Sequence, residues 1–254
     1  MRSILLCEGP DDLWFSAYYL HKVAGWDTCN TINDLWPLYK VYPANRKQLV
    51  EYMSKGIDSV AIWCVAGKDA FDLPIATILD KFISAYPFDP VNSIVILRDR
   101  DTDTEESVLA HISALFCNKV TLSNHSTSVY SESIDGEEVR INITPVLIPF
   151  NDCGAIESLL MASIREENTE GQIIVDEACS YIDGLVNNHD VGQLYLTHAR
   201  EIIKAKFAAT IAATNPGHAT GLFQDLVMSC PWEKSEYVKS HFDVIVHAVT
   251  TPID

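Results

Sequence analysis

Glu8 and Asp12 lie four residues apart, Asp99 and Asp101 lie two apart roughly ninety residues later, and both pairs follow apolar runs. The first run is Ile4-Leu5-Leu6-Cys7, leading into Glu8-Gly9-Pro10-Asp11-Asp12; the second is Ile94-Val95-Ile96-Leu97, leading into Arg98-Asp99-Arg100-Asp101. An apolar run that stops at a carboxylate puts that carboxylate at the carboxyl edge of a parallel sheet, where open α/β folds place their ligands. Carboxylates at this density are hard oxygen donors that suit magnesium or manganese, whereas zinc would favour imidazole or thiolate. In an extended segment Asp99 and Asp101 point the same way and Arg100 the opposite way. Each carboxylate alone has a plainer use, Asp11 or Asp12 complementing a helix dipole and Asp99 capping a turn. Two acidic strand ends in order favour a metal-binding pair over two separate accidents.

The elements that must position these groups follow from the hydrophobic pattern. Residues 3–7 read as a fully buried strand, Gly9-Pro10 as a turn, and 11–24 as an amphipathic helix with Leu13, Ala17, Leu20 and Ala24 on its apolar stripe. A polar segment follows, and Arg46–Lys55 reads as a helix ending at Gly56. Ser59–Val65 reads as a strand running into Ala66-Gly67-Lys68-Asp69, where a helix to about Ala85 begins, closed by Pro87 and Pro90. Ser93–Leu97 is the next buried strand, and Glu105–Phe116 is helical with Val108, Ile112 and Leu115 on one side. Strands alternating with helices imply a parallel sheet with crossovers. Thr127–Ile134 and Glu137–Ile148 then alternate at period two around Asp135-Gly136, a hairpin signal. From Ala155 the chain reads as helices, over about 155–165, 172–186, 193–213 and 234–249. The expected architecture is an α/β domain over 1–125, and a β-hairpin plus helical C-terminal subdomain over 126–254 packed on it.

Composition narrows the class. The chain has 254 residues, 48% of them apolar and 21% charged, which is the profile of an ordinary globular protein rather than a disordered one. Met1 leads straight into a strand and no apolar run approaches the length of a membrane span, so a cytoplasmic protein without membrane contact is expected. Seven cysteines are spread out with no CxxC pair, which suits buried reduced thiols and not a disulfide framework or a structural zinc site. The net charge of −17 argues against a broad DNA-wrapping surface, because counterion release needs lysines and arginines facing phosphates. A small basic groove is compatible with it, and carboxylates that bind metal neutralise part of it.

An apolar strand ending in Glu8-Gly9-Pro10-Asp11-Asp12, followed by an apolar strand ending in Asp99-Arg100-Asp101, resembles the TOPRIM domain of topoisomerases, bacterial primases, ribosomal-RNA maturases and OLD-family nucleases. The likeness covers about Ser3–Leu122. It implies a Rossmann-like parallel sheet between helices, with Glu8, Asp12, Asp99 and Asp101 as the metal-binding set. Within that family the chain resembles small bacterial TOPRIM proteins of the OLD-like group, in which an acidic residue on a later helix and a lysine beyond it complete the site. That resemblance points to Glu157, in Ala155-Ile156-Glu157-Ser158 after Asp152-Cys153-Gly154, and to Lys204 or Lys206 in Lys204-Ala205-Lys206-Phe207. Ala199, Ile203, Phe207 and Ile211 form the buried stripe of that last helix, and Lys206 lies about 60° from Ile203 against about 100° for Lys204, which favours Lys206 beside the core. Both lysines could equally lie on the surface with their stems against apolar neighbours. Asp103 could extend the ligand set, while Glu105 and Glu106 fit the negative start of a helix.

Gly67-Lys68 follows a strand, so its backbone donors and ammonium could hold a phosphate, although no Walker loop is present. The eight histidines show no HExxH spacing and no serine sits in GxSxG, which disfavours a side-chain nucleophile. The five tryptophans read as core or interface residues in preference to base-stacking platforms. The expected function is a Mg²⁺- or Mn²⁺-dependent nuclease acting on DNA or RNA, with a possible homo-oligomer and, by the OLD-like resemblance, a partner ATPase that controls it in phage defence or DNA repair. In that chemistry Asp99, Asp101 and Glu8 hold a first ion, Asp12 and Glu157 help hold a second, and Lys206 or Lys204 stabilises phosphate charge. Two alternatives use the same residues differently: a primase-type nucleotidyl transferase, and a non-catalytic acidic subunit that binds a basic partner protein.

Overall fold

The structure is a computed structural model that describes residues 1–83, 90–150, 154–188, 192 and 194–251. Its strands are β1 (Arg2–Cys7), β2 (Asp27–Thr28), β3 (Leu49–Lys55), β4 (Asp58–Cys64), β5 (Ser93–Asp99), β6 (Ser128–Ile134) and β7 (Glu137–Ile148). The helices are α1 (Pro10–Ala24), α2 (Ile32–Leu35), α3 (Asp72–Thr77, continued by a wider π-helical turn over Ile78–Ile83), α4 (Glu105–Leu115), α5 (Ile156–Glu167), α6 (Thr169–Val186), α7 (Ala199–Thr214), α8 (Phe223–Ser229) and α9 (Glu236–Thr250). One sheet carries all seven strands in the order β2-β3-β4-β1-β5-β7-β6. β1 pairs in parallel with β4 and with β5, setting Cys7 beside both Cys64 and Leu97. The Asn142 N–H donates to the Asn92 carbonyl and the Arg100 N–H to the Ile148 carbonyl, so β5 and β7 also run the same way. The expected α/β fold with a parallel sheet between helices is therefore present, with antiparallel pairs at both edges.

The chain divides into two compact units, one of Met1–Arg98, Thr104–Leu147 and Phe242–Asp254, the other of Asp99–Asp103 and Ile148–His241. This division differs from the expected boundary after residue 125, because the β6–β7 hairpin pairs into the sheet. The hairpin itself turns at Asp135 and Gly136, both with positive φ, as that dipeptide foretells. In the first unit β1 and β5 are buried along almost their whole length, which explains their continuous apolar runs. Ile4, Leu6, Ile94 and Ile96 join one core cluster with Phe71, Ile75, Val108 and Ile112. Helix α1 buries Phe15, Tyr18 and Tyr19 in addition to Leu13 and Leu20, a wider face than the expected stripe. The extra face meets α9, where the Phe242 ring lies 4.9 Å from that of Phe15 and 5.4 Å from that of Tyr19.

Two expected elements are corrected. Arg46–Lys55 does not form a helix: Leu49–Lys55 is β3, paired antiparallel with β4 from Leu49↔Cys64 to Lys55↔Asp58. Gly56, with φ of 62°, begins the two-residue turn instead of capping a helix. Tertiary packing overrides helical propensity here, since Val50 and Tyr52, two apart, lean on the core and the Tyr52 ring stands 5.6 Å from Trp36. The helix expected from Ala66–Asp69 begins later, at Asp72. Ala66 and Gly67 have φ of 70° and 138°, which no helical residue adopts. Pro87 lies outside the described residues, as do the helix end near Ala85 and residues Asp152, Cys153 and Gln193 of later expected elements. The described cysteines are free thiols. Among the described residues no helix is long and apolar enough to cross a membrane.

In the second unit α5, α6 and α7 pack on one another. Asn168 caps α6 by accepting the Gly171 N–H at 2.7 Å. The unit also holds a buried histidine, His241, 3% exposed. Its Nε2 accepts the Phe150 N–H at 3.1 Å, so the ring proton sits on Nδ1, which faces the Tyr237 carbonyl at 2.7 Å. Burial pulls its pKa below the ordinary 6.5, the backbone bond to Tyr237 opposing the shift. A depressed histidine binds its proton more readily in the unfolded chain, so its stabilisation is complete above pH 6.5 and is lost as pH falls through the lowered value. Between about pH 7.5 and about pH 5.5 the native protein should lose more urea-midpoint stability than His241→Gln. Equal losses would show that His241 does not drive this part of the pH response.

Candidate metal centre

Each unit places part of the expected acidic set. In the first, the sheet register brings the carboxyl ends of β1 and β5 side by side, with Cys7 opposite Leu97. Glu8 follows β1 directly and is 2% exposed. Its carbonyl accepts the Gly67 N–H at 3.0 Å, tying the end of β1 to the turn after β4. Asp12 is equally buried, and its Oδ2 accepts the Gly9 N–H at 2.7 Å. This bond makes Asp12 the third helical residue of a capping arrangement, so one of its oxygens serves the start of α1. A side chain at position 9 would bring its Cβ within 3.4 Å of that oxygen. The Gly67 N–H, expected to be open to a phosphate, is thus engaged with Glu8, and Gly67 closes a turn to Ala70. Lys68 lies half-buried in that turn.

The second unit gathers more. β5 ends at Asp99, whose side chain is fully buried. Its Oδ1 accepts the Ile156 N–H, at the first position of α5, at 3.2 Å. Its Oδ2 accepts Arg200 Nη2 of α7 at 3.1 Å. Asp101 leaves the extended conformation with φ of 49°, and its N–H donates to the Gly154 carbonyl at 2.7 Å. The aspartates therefore do not share a face through strand pleating, as the sequence suggested. A turn brings them together, and Arg200 Nη1 lies 3.9 Å from Asp101 Oδ2. Asp103 sits half-buried in the same turn, its N–H on the Arg100 carbonyl. Arg100 points elsewhere, with Nη1 on the Phe150 carbonyl at 2.7 Å.

Glu157 stands on the first turn of α5, 4% exposed, with Oε1 3.4 Å from Lys204 Nζ. The two lysines separate clearly. Lys206, which helical geometry favoured, pairs with Asp183 of α6 at 2.7 Å, and Lys204 is the one that meets the expected carboxylate. Angular distance from the apolar stripe failed because α7 packs on both α5 and α6, so each flank of its stripe faces a neighbour. Arg200 escaped the sequence reading altogether. Its signal was the four-residue spacing to Lys204, which places both cations on one face of α7.

The donor set fits a hard divalent ion in kind, being carboxylates without thiolate or imidazole. Asp101 Oδ1 and Glu157 Oε2 are buried oxygens with no hydrogen-bond partner among the described residues. Such atoms cost about 1–3 kcal/mol each, a penalty that a bound cation removes. In number the set is not assembled, because no three His, Cys, Asp or Glu side chains form a ligand group among the described residues. Arg200 and Lys204 stand on the carboxylates instead.

No protein-family model matches the chain, and no curated protein matches it either. A crystal structure of the hypothetical protein PH0156 from Pyrococcus horikoshii OT3 is similar over 98% of this chain and 95% of that one, with a TM-score of 0.54 and 16% identity. At that identity the likeness shows a shared fold and nothing about chemistry.

Proposed function

We propose that this protein is a magnesium- or manganese-dependent nuclease that hydrolyses phosphodiester bonds in DNA or RNA. The observation that supports it most is in the second unit: three carboxylates, Asp99, Asp101 and Glu157, lie in contact with two cations of one helix, and two of their oxygens are buried without partners. Such a mixture of acid and base suits a phosphate and its metal, since carboxylates bind the ion and guanidinium and ammonium groups bind the phosphate oxygens. A structural ion-pair network would be expected to leave no buried carboxylate oxygen open.

Asp99, Asp101 and Glu157 of the second unit would hold metal, and that Glu8 of the first unit is also a ligand is proposed on the TOPRIM resemblance of the sequence alone. When bound, the ion supplies an activated water and neutralises charge on the phosphate. The chain contributes the rest. The Ile156 N–H fixes one oxygen of Asp99 and so orients the other. Lys204, half-exposed, can turn its ammonium from Glu157 to a phosphate oxygen. Lys206 is assigned no part in the reaction, because it is held by Asp183. Control by a partner ATPase extends the proposal and rests on the OLD-like resemblance of the sequence, while a cytoplasmic setting extends it on the ground that no apolar run approaches the length of a membrane span.

The reading is tested by incubating native protein and Glu8→Ala with plasmid, single-stranded DNA and transfer RNA in the presence of Mn²⁺. Cleavage of at least one substrate by the native protein, lost in the variant, is the expected result. Cleavage that survives in Glu8→Ala at the native rate contradicts the assignment of Glu8 as a ligand. Incorporation of nucleotides without cleavage would replace the nuclease by the transferase.

A further inference from the structure

We infer that Arg200 is a tethered counter-cation of the acidic set, a positioning residue that surrenders Asp99 and Asp101 when a divalent ion binds. The inference rests on the metal-dependent reading above and adds to it a control on metal entry. Its basis is the unequal treatment of the two Asp99 oxygens. Oδ1 is pinned by a backbone N–H of α5 at 3.2 Å, a partner that cannot leave while the helix stands. Oδ2 is held by Arg200, a side chain 38% exposed. The same guanidinium reaches Asp101 Oδ2 with its other terminal nitrogen, so one planar fork bridges the pair.

That position is where an ion shared by Asp99 and Asp101 would sit. A metal–oxygen bond is about 2.1 Å long. A guanidinium nitrogen 3.1 Å from the same oxygen takes up one of its two lone pairs, and its charge repels the ion, so the fork lying between Asp99 and Asp101 must yield to an ion that the two share. Lys204, four residues along and on the same face of α7, stands on Glu157 in the same manner. The two cations leave Asp101 Oδ1 and Glu157 Oε2 unpaired. Neutralisation is thus incomplete, and the remaining negative charge still attracts a divalent ion able to displace the guanidinium.

The test is calorimetric titration of Mn²⁺ into native protein, Arg200→Gln, Arg200→Lys and Glu157→Gln. Removing a competing cation should tighten Mn²⁺ binding by Arg200→Gln about tenfold or more. Arg200→Lys keeps the charge but cannot bridge both aspartates, and should bind about threefold more tightly than native. A charge acting only from a distance of about 8 Å through water would change the affinity for a divalent ion about twofold at physiological salt, screening having cut an effect that is about sixfold without it. Arg200→Gln within twofold of native, or weaker, therefore overturns the inference; should that variant fail to fold, Arg200→Lys no tighter than native does the same. If native protein binds Mn²⁺ and Glu157→Gln does not, the metal reading stands whatever Arg200 does. If none of the four binds, the metal reading falls and the inference falls with it.

Discussion

Asp99→Asn should reduce metal-dependent cleavage by about 10³-fold while leaving the protein folded. Asparagine is isosteric, and its oxygen can still accept the Ile156 N–H that Asp99 accepts now. What it loses is the anionic Oδ2, which faces the Arg200 guanidinium in this structure and would face the ion in the active one. The stability cost should be about 1–2 kcal/mol, below the 3–5 kcal/mol typical of a broken buried pair, because Arg200 is partly exposed and can turn to water. Single-turnover cleavage together with urea midpoints separates the two effects. A variant that cleaves within tenfold of native would remove Asp99 from the machinery.

The second large effect lies in the packing of the first unit. Phe242→Ala should cost about 3–5 kcal/mol of folding free energy. Its ring is fully buried between Phe15 and Tyr19 of α1, and truncation leaves a cavity lined by two aromatic faces. Helix α1 starts at the residues that follow Glu8, and the neighbouring Asp243 Oδ1 accepts the Tyr19 hydroxyl at 2.6 Å. A natural domain of this kind has about 5–15 kcal/mol in hand, so the variant should show a visibly lowered urea midpoint with an unchanged slope. A loss below about 1 kcal/mol would mean that α9 does not anchor α1.

The strands that carry the acidic residues were legible because both are buried on two faces and therefore read as unbroken apolar runs. The Asp135-Gly136 hairpin was legible because its turn needs two positive φ values, and those residue types supply them. β3 was not, because its inward residues Val50 and Tyr52 are only partly buried, and its spacing of Leu49 and Met53 imitates a helical stripe. At the site, Asp99 and Asp101 were found, but the reason they meet was not. The sequence suggested a shared strand face, whereas the left-handed turn at Asp101 achieves it. Arg200 was missed because its partners lie about a hundred residues upstream, and its four-residue spacing to Lys204 marks a shared helix face without naming the carboxylates that face meets. Lys204 and Lys206 are two residues apart on one helix, and only the packing of α7 against both α5 and α6 assigns each its carboxylate.

The measurement that bears most directly on the central claim is a crystal soaked with Mn²⁺ and recorded at a wavelength where manganese scatters anomalously. The expected result is a peak about 2.1 Å from carboxylate oxygens that include Asp99 Oδ2, with the Arg200 guanidinium moved off that oxygen. Saturating Mn²⁺ with no peak there, and Arg200 still on Asp99, would contradict it.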